Sequence, residues 1–205
     1  MPHDSLSPKV LIIDHYDSFT YMIVDYITQL TNQKVHVYQH DYVTAVDIDR
    51  LSPTHIILSP GPGHPANPQD FSYSKVIITN CSVPILGICL GHQGIALAFG
   101  DQSSVALASE PAHGSASEIF HAQHPLFSGI PSPFMAGRYH SLLVTDPLPV
   151  SLKKIAWMAD GTIMGLAHIT RPLFGIQFHP ESILCPFGKM ILANFLGVQH
   201  DSEPI

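Results

Sequence analysis

Three short runs of mostly branched apolar residues, KVLIID, HIILSP and VPILGI, lie in the first half of the chain, and each leads into a polar or glycine-rich turn. Such a run is apolar on both sides, so a strand made from it must be covered on both faces, the situation of a parallel sheet between helical layers. Helical patterns separate the runs. From Phe19 the apolar residues fall at Phe19, Met22, Ile23, Tyr26, Ile27 and Leu30, a spacing of three and four, with Asp17 or Ser18 available as the cap. KVHVYQHD alternates as a strand does, PQDFSYSKVIIT predicts a helix, and a further helix is expected from Leu90 to Phe99. In the second half RYHSLLVT, IAWMAD, TIMGLAHI and PLFGIQF read as strands, and FGKMILANFL reads as a closing helix. Asp160-Gly161 offers the primed turn of a two-residue hairpin. The region from about Gly100 to Ser132, rich in Ser, Ala and His, gives no pattern. The expected fold is α/β, an open, mostly parallel sheet flanked by helices with an additional antiparallel hairpin region, in a single domain over residues 1–205.

Composition narrows the function. Hydrophobic residues make up 45% and charged ones 12%, which describes a packed core rather than a disordered chain. A net charge of -7 with nine scattered Lys and Arg leaves no footprint for nucleic acid. The start, MPHDSLSPKV, has no apolar leader, and no apolar stretch approaches the roughly 18 residues that cross a bilayer, so no membrane contact and a cytoplasmic location are expected. Three cysteines without paired metal-type spacing argue against a disulfide framework, and Cys81 and Cys185 read as free thiols. Among 14 histidines, the pairs His36/His40 and His121/His124 lack supporting carboxylate or cysteine ligands, so neither a metal nor any other cofactor is expected.

Chemistry concentrates at one cysteine. Gly87, Cys89 and Gly91 form G-x-C-x-G between a strand and a helix, the cysteine form of a nucleophile elbow. The turn crowds its neighbours, and residues without Cβ relieve the crowding. A helix starting at Leu90 points free N–H groups and its positive end at the sulfur, which favours thiolate, and the Leu90 amide could bind an oxyanion. Taken alone, the pattern fits a buried structural cysteine equally well. A cysteine nucleophile needs a base and a group that orients it. GIQFHPES supplies both, since His179 and Glu181 are two apart at a strand end and share a side, and Pro180 biases His179 toward an extended backbone; alone, the same segment fits a capped loop. The third piece is SPGPGHPANP, whose glycines let the backbone approach a ligand and could give a second oxyanion donor at Gly61 or a neighbouring amide; alone, the loop fits a plain Pro-Gly turn.

In chain order SPGPGHP, GICLGHQ, YHSL and QFHPES resemble the class I, triad-type glutamine amidotransferases, over essentially the whole chain. YDSFT, DGTIMGLAH and FHPESIL are similar to the branch that delivers ammonia to chorismate, the small subunits (component II) of anthranilate synthase and 4-amino-4-deoxychorismate synthase. The resemblance implies a flavodoxin-like sheet and a glutaminase in which Cys89 attacks the side-chain amide of L-glutamine, His179 transfers protons and Glu181 orients His179. It further implies a glutamine site built from Gly61, Pro62, Gly63, Leu90, Gln93, Ser141 and Leu142, and a chorismate-binding synthase subunit (component I) as partner. No acceptor domain is recognised in the chain, which agrees with such a partner. Relatives usually carry Asn at His15 and Met22 and Lys at Ser115, and by resemblance these positions face the synthase. Two other readings use the same residues, a cysteine hydrolase of γ-glutamyl or peptide bonds and a catalytically silent scaffold subunit.

Overall fold

The computed structural model describes residues 7–199; the start of the chain at residues 1–6, where a leaderless terminus is expected, lies outside the described residues. In chain order the elements are β1 (Val10–Asp14), α1 (Thr20–Thr31), β2 (His36–Gln39), α2 (Ala45–Leu51), β3 (His55–Leu58), α3 (Pro68–Phe71), α4 (Ser74–Asn80), β4 (Ile85–Ile88) and α5 (Leu90–Phe99). They continue with β5 (Val105–Leu107), β6 (Ser115–His121), β7 (Phe134–Arg138), β8 (Leu142–Val144), β9 (Leu152–Trp157), β10 (Ile163–His168), β11 (Leu173–Ile176) and α6 (Gly188–Leu196).

A nine-stranded sheet runs β2-β1-β3-β4-β11-β10-β9-β6-β7. From β2 to β11 the pairs are parallel, and from β11 onward they are antiparallel. The antiparallel region is thus continuous with the parallel sheet, and among the described residues only β5 and β8 pair separately. Alternation along β1 divides the core. Val10 and Ile12 join Ile23 and Ile27 of α1 and Ile191 and Leu192 of α6 on one face, whereas Leu11 and Ile13 join Ile77, Ile78 and Ile95 on the other. The open, mostly parallel sheet with flanking helices is therefore the architecture expected from the buried strand runs. Among the described residues no helix is long and apolar enough to cross a membrane.

Several local expectations are corrected. Helix α1 begins at Thr20, and neither Asp17 nor Ser18 caps it; the Asp17 carboxylate instead accepts the Phe19 N–H at 2.8 Å. The helix expected over PQDFSYSKVIIT is two helices, because the Phe71 ring turns in against α5, where a Cβ on Gly94 would lie 2.0 Å from it. RYHSLLVT is split between the end of β7 and the start of β8. At the β9–β10 turn the Met158 N–H donates to Thr162 O at 3.0 Å and the Gly161 N–H to Met158 O at 2.9 Å, closing a three-residue loop. A primed two-residue turn of Asn-Gly type needs positive φ at both residues, whereas here Gly161 has φ +90° and Asp160 does not share it. The unassigned stretch from Gly100 to Ser132 contains β5 and β6.

Candidate active site

The parallel strands end at one edge of the sheet, and register pairs Ile13 with Leu58, Leu58 with Gly87 and Ile88 with Ile176. His15, Ser59, Cys89 and Gln177 therefore emerge side by side, at the crevice where open α/β sheets bind ligands.

Cys89 joins β4 directly to α5 with φ +50° and ψ -99°, a conformation that L-residues rarely adopt. The flanking glycines are required by contact. A Cβ on Gly87 would lie 2.4 Å from the Gly91 carbonyl carbon, and one on Gly91 would lie 2.6 Å from Leu58 O. The sharp turn leaves the sulfur at the mouth of α5, whose first amides have no intrahelical acceptor.

His179 and Glu181 are both buried, and His179 Nδ1 lies 2.6 Å from Glu181 Oε1. A carboxylate accepts, so the proton of this bond sits on Nδ1, and Nε2 is left without a hydrogen-bond partner. The His179 N–H donates to Gly137 O at 3.0 Å, and Tyr139 presents its ring to the imidazole with 5.0 Å between centroids. Burial opposes a charge on His179, but the Cys89 sulfur and the Glu181 carboxylate outweigh it and raise the pKa to about 10. His179 and Glu181 thus form one buried hydrogen-bonded pair, with the Cys89 sulfur near enough to act on the charge of the imidazole. The turn that carries Glu181 packs on Gly188, where a Cβ would lie 1.7 Å from Pro180 O. Gly188→Ala is expected to destabilise the protein by about 3 kcal/mol, the upper range for overpacking, and to lower activity by displacing the His-Pro-Glu turn. Chemical denaturation checks this, and an unchanged midpoint would show that the turn yields freely.

Gly61, Pro62, Gly63, Gln93, Ser141 and Leu142 line a cavity of about 150 Å³ with Cys89 at its wall. Leu90, also expected at the glutamine site, does not line this cavity; its side chain packs beside the Gly61 loop, where a Cβ on Gly61 would lie 3.0 Å from Leu90 Cδ2. Gly63 has φ +88°, and Asp70 Oδ2 behind it accepts from the His64 N–H at 2.9 Å and from Asn67 Nδ2 at 3.0 Å, so the loop is braced by α3. The Ser141 carbonyl accepts from the Ala108 N–H and the Leu142 carbonyl from Gln93 Nε2, so neither carbonyl is idle.

Three residues of the site were not singled out from sequence: Tyr139 and His140, which line the cavity, and Gln177, fully buried, whose Nε2 lies 3.6 Å from Cys89 Sγ. Gln177 had a signal, because the two-residue spacing that pairs His179 with Glu181 also brings Gln177 to that side. One expectation is corrected. Met22 and Ser115 are exposed as a partner-facing position requires, but His15 is 2% exposed and lies inside the fold. Its ring is stacked between His40 and Phe71 and reaches Ser59 Oγ at 3.2 Å and Ser74 Oγ at 2.8 Å, beneath the Gly61 loop. Among the described residues the three cysteines are free thiols, and no group of His, Cys, Asp and Glu is arranged to hold a metal ion.

A family model described as "Glutamine amidotransferase class-I" matches residues 11–198. The "Bifunctional protein TrpGD" of Thermotoga maritima is 45% identical over 195 residues, which are 93% of this chain and 32% of that protein. The "Anthranilate synthase component 2" of Methanothermobacter marburgensis is 44% identical over 93% of this chain and 99% of its own length. The "Aminodeoxychorismate/anthranilate synthase component 2" of Bacillus subtilis is 41% identical over 91% and 95%. The chain therefore spans about a third or less of some curated relatives and nearly all of others. Among solved structures, a protein from Thermoplasma acidophilum described as a putative GMP synthase subunit superposes with a TM-score of 0.82 at 27% identity, covering 93% of both chains.

Proposed function

The chain belongs to the class I glutamine amidotransferase family and is an enzyme of that kind, and from this premise we propose that it hydrolyses L-glutamine at Cys89 and passes the ammonia to a chorismate-binding synthase subunit. The observation that carries the chemistry is the buried His179–Glu181 pair coupled to Cys89 beside an open cavity. Cys89 passes its thiol proton to His179 and Sγ attacks the amide carbon, so that a C–S bond forms while the carbonyl oxygen takes the negative charge. The Leu90 and Gly61 amides receive that charge, each such donor being worth about 3 kcal/mol of barrier. His179 gives a proton to the amide nitrogen, the C–N bond breaks, and ammonia leaves a γ-glutamyl thioester. Water then loses a proton to His179 and attacks the thioester carbon; the C–S bond breaks and glutamate departs. Glu181 holds His179 in the tautomer that both steps need.

In this reading residues 1–205 act as one glutaminase domain in the cytoplasm, and relatives named as second components of synthases support a first component as partner. Whether anthranilate, aminodeoxychorismate or both are made depends on that partner, as the dual name of the Bacillus subtilis relative illustrates.

Intact-mass measurement after exposure to a chloroketone analogue of glutamine tests the site. Wild type should gain one adduct and Cys89→Ala none. An adduct of equal yield on both proteins would place the reactive group elsewhere.

A further inference from the structure

Gln177 stands just past the end of β11, fully buried beside the nucleophile. Its side chain bridges two groups. Nε2 lies 3.6 Å from Cys89 Sγ, and Oε1 lies 3.1 Å from Gln93 Nε2, which also reaches Leu142 O at 3.1 Å. The directions of these bonds follow from one atom. The Leu142 backbone carbonyl can only accept, so Gln93 must present its NH2 there. Both Gln93 hydrogens are then used, one on Leu142 and one on Gln177, which forces Gln177 to turn its oxygen toward Gln93 and its NH2 toward the sulfur. A single backbone carbonyl thereby orients two amides and makes Cys89 Sγ the acceptor at the end of the chain.

The same bonds decide what Gln93 offers a ligand. Its NH2 is fully engaged within the protein, and its Oε1 is the group left over on a residue that lines the cavity. An amide oxygen accepts and cannot hold a carboxylate; it suits the α-ammonium group of an amino acid. We propose that Gln177 is a positioning residue of the glutaminase, donating an N–H to the attacking sulfur and locking Gln93 with its oxygen toward the α-ammonium group of glutamine. This inference rests on the reading of Cys89 as the nucleophile of a glutamine site.

The test compares wild type with Gln177→Met, which keeps the length of the side chain but removes both polar atoms. Three amides are assayed on the full chain, with and without the synthase: glutamine, glutaramate, which lacks the α-amino group, and 4-aminobutanamide, which lacks the α-carboxylate. Wild type hydrolysing none of them under either condition would sink the glutaminase reading itself. With wild type active, Gln177→Met should lose about tenfold or more of its preference for glutamine over glutaramate, which corresponds to about 1.4 kcal/mol. Its preference for glutamine over 4-aminobutanamide should stay as in wild type, and alkylation of Cys89 by chloroacetamide should slow severalfold. A variant that keeps the wild-type preference and the wild-type alkylation rate would overturn the proposal, as would equal loss of both preferences, the mark of a general packing defect. Should Gln177→Met fail to fold, side-chain amide NMR replaces it: Cys89→Ala should move the Gln177 NH2 resonances and, through the shared amide, those of Gln93. Resonances unmoved at both residues would also overturn it.

Discussion

Cys89→Ala is expected to lower glutamine hydrolysis by at least about 10⁴-fold, since removal of the nucleophile in a residue set that acts as a unit leaves only binding and oxyanion stabilisation. Synthesis by the partner from ammonium salts should continue at the wild-type rate, because the substitution removes the ammonia source and leaves the acceptor chemistry untouched. Product formation with glutamine and with ammonium, measured in parallel on the reconstituted pair, checks both halves, and equal loss from the two nitrogen sources would refute the division of labour. Backbone strain adds an independent expectation. With φ at +50°, Cys89 sits where any side chain costs of order 1–3 kcal/mol, and glycine does not incur that cost. Cys89→Gly should therefore be as inactive as Cys89→Ala and yet unfold at a higher denaturant concentration. That pairing of lost activity with gained stability is the signature of a residue held in place for chemistry.

The part of this molecule that sequence exposes is the part in which one interaction dominates. β1, β3 and β4 are apolar on both sides because they lie under two helical layers, and α5 runs from Leu90 to Phe99 as its pattern requires. The Cys89 turn and the His179–Glu181 pair were each legible because covalent spacing and turn mechanics fix them locally, whereas bringing the two together takes the pairing of β4 with β11. β6 was hidden for the opposite reason. SASEIFH has mostly exposed or half-exposed positions and buries Ile119 alone, so its strand form comes from pairing with β7 and β9 rather than from a periodic stripe. The split of the 68–79 helix depends on Phe71 meeting the surface left by Gly94, a contact between residues far apart in sequence. His15 shows the limit of resemblance: the likeness puts it toward a partner, whereas its ring is buried in a stack between His40 and Phe71 that an Asn side chain could not form.

Acid should unfold this protein steeply, because three of its histidines are buried in the neutral form. Burial, aided by the neighbouring His40, lowers the pKa of His15 to about 3 against the Ser59 hydrogen bond, and burial with nearby His140 lowers that of His92 to about 3. Burial likewise takes His140 to about 4, opposed by its bond to Leu142 and aided by Arg138 and His179. In the unfolded chain all three titrate near 6.5. A folded pKa below the unfolded one gives stability that is present above pH 6.5 and is lost as pH falls toward the folded values. Between those limits unfolding takes up about three protons, so the stability should fall by about 4 kcal/mol per pH unit. Native reserves are about 5–15 kcal/mol, so the fold should fail within a few pH units. His179 does not offset this loss. Its pKa is raised to about 10, so its contribution is complete below pH 6.5 and disappears only as pH rises through about 10. Urea denaturation at several values between pH 7 and 4.5 measures the slope, and His15→Asn should reduce it by about one proton, or 1.4 kcal/mol per pH unit. A slope of less than one proton for wild type would mean that water reaches these rings in the folded state, and that the stacks around His15 and the packing of His92 against Gly175 open far more readily than their burial implies.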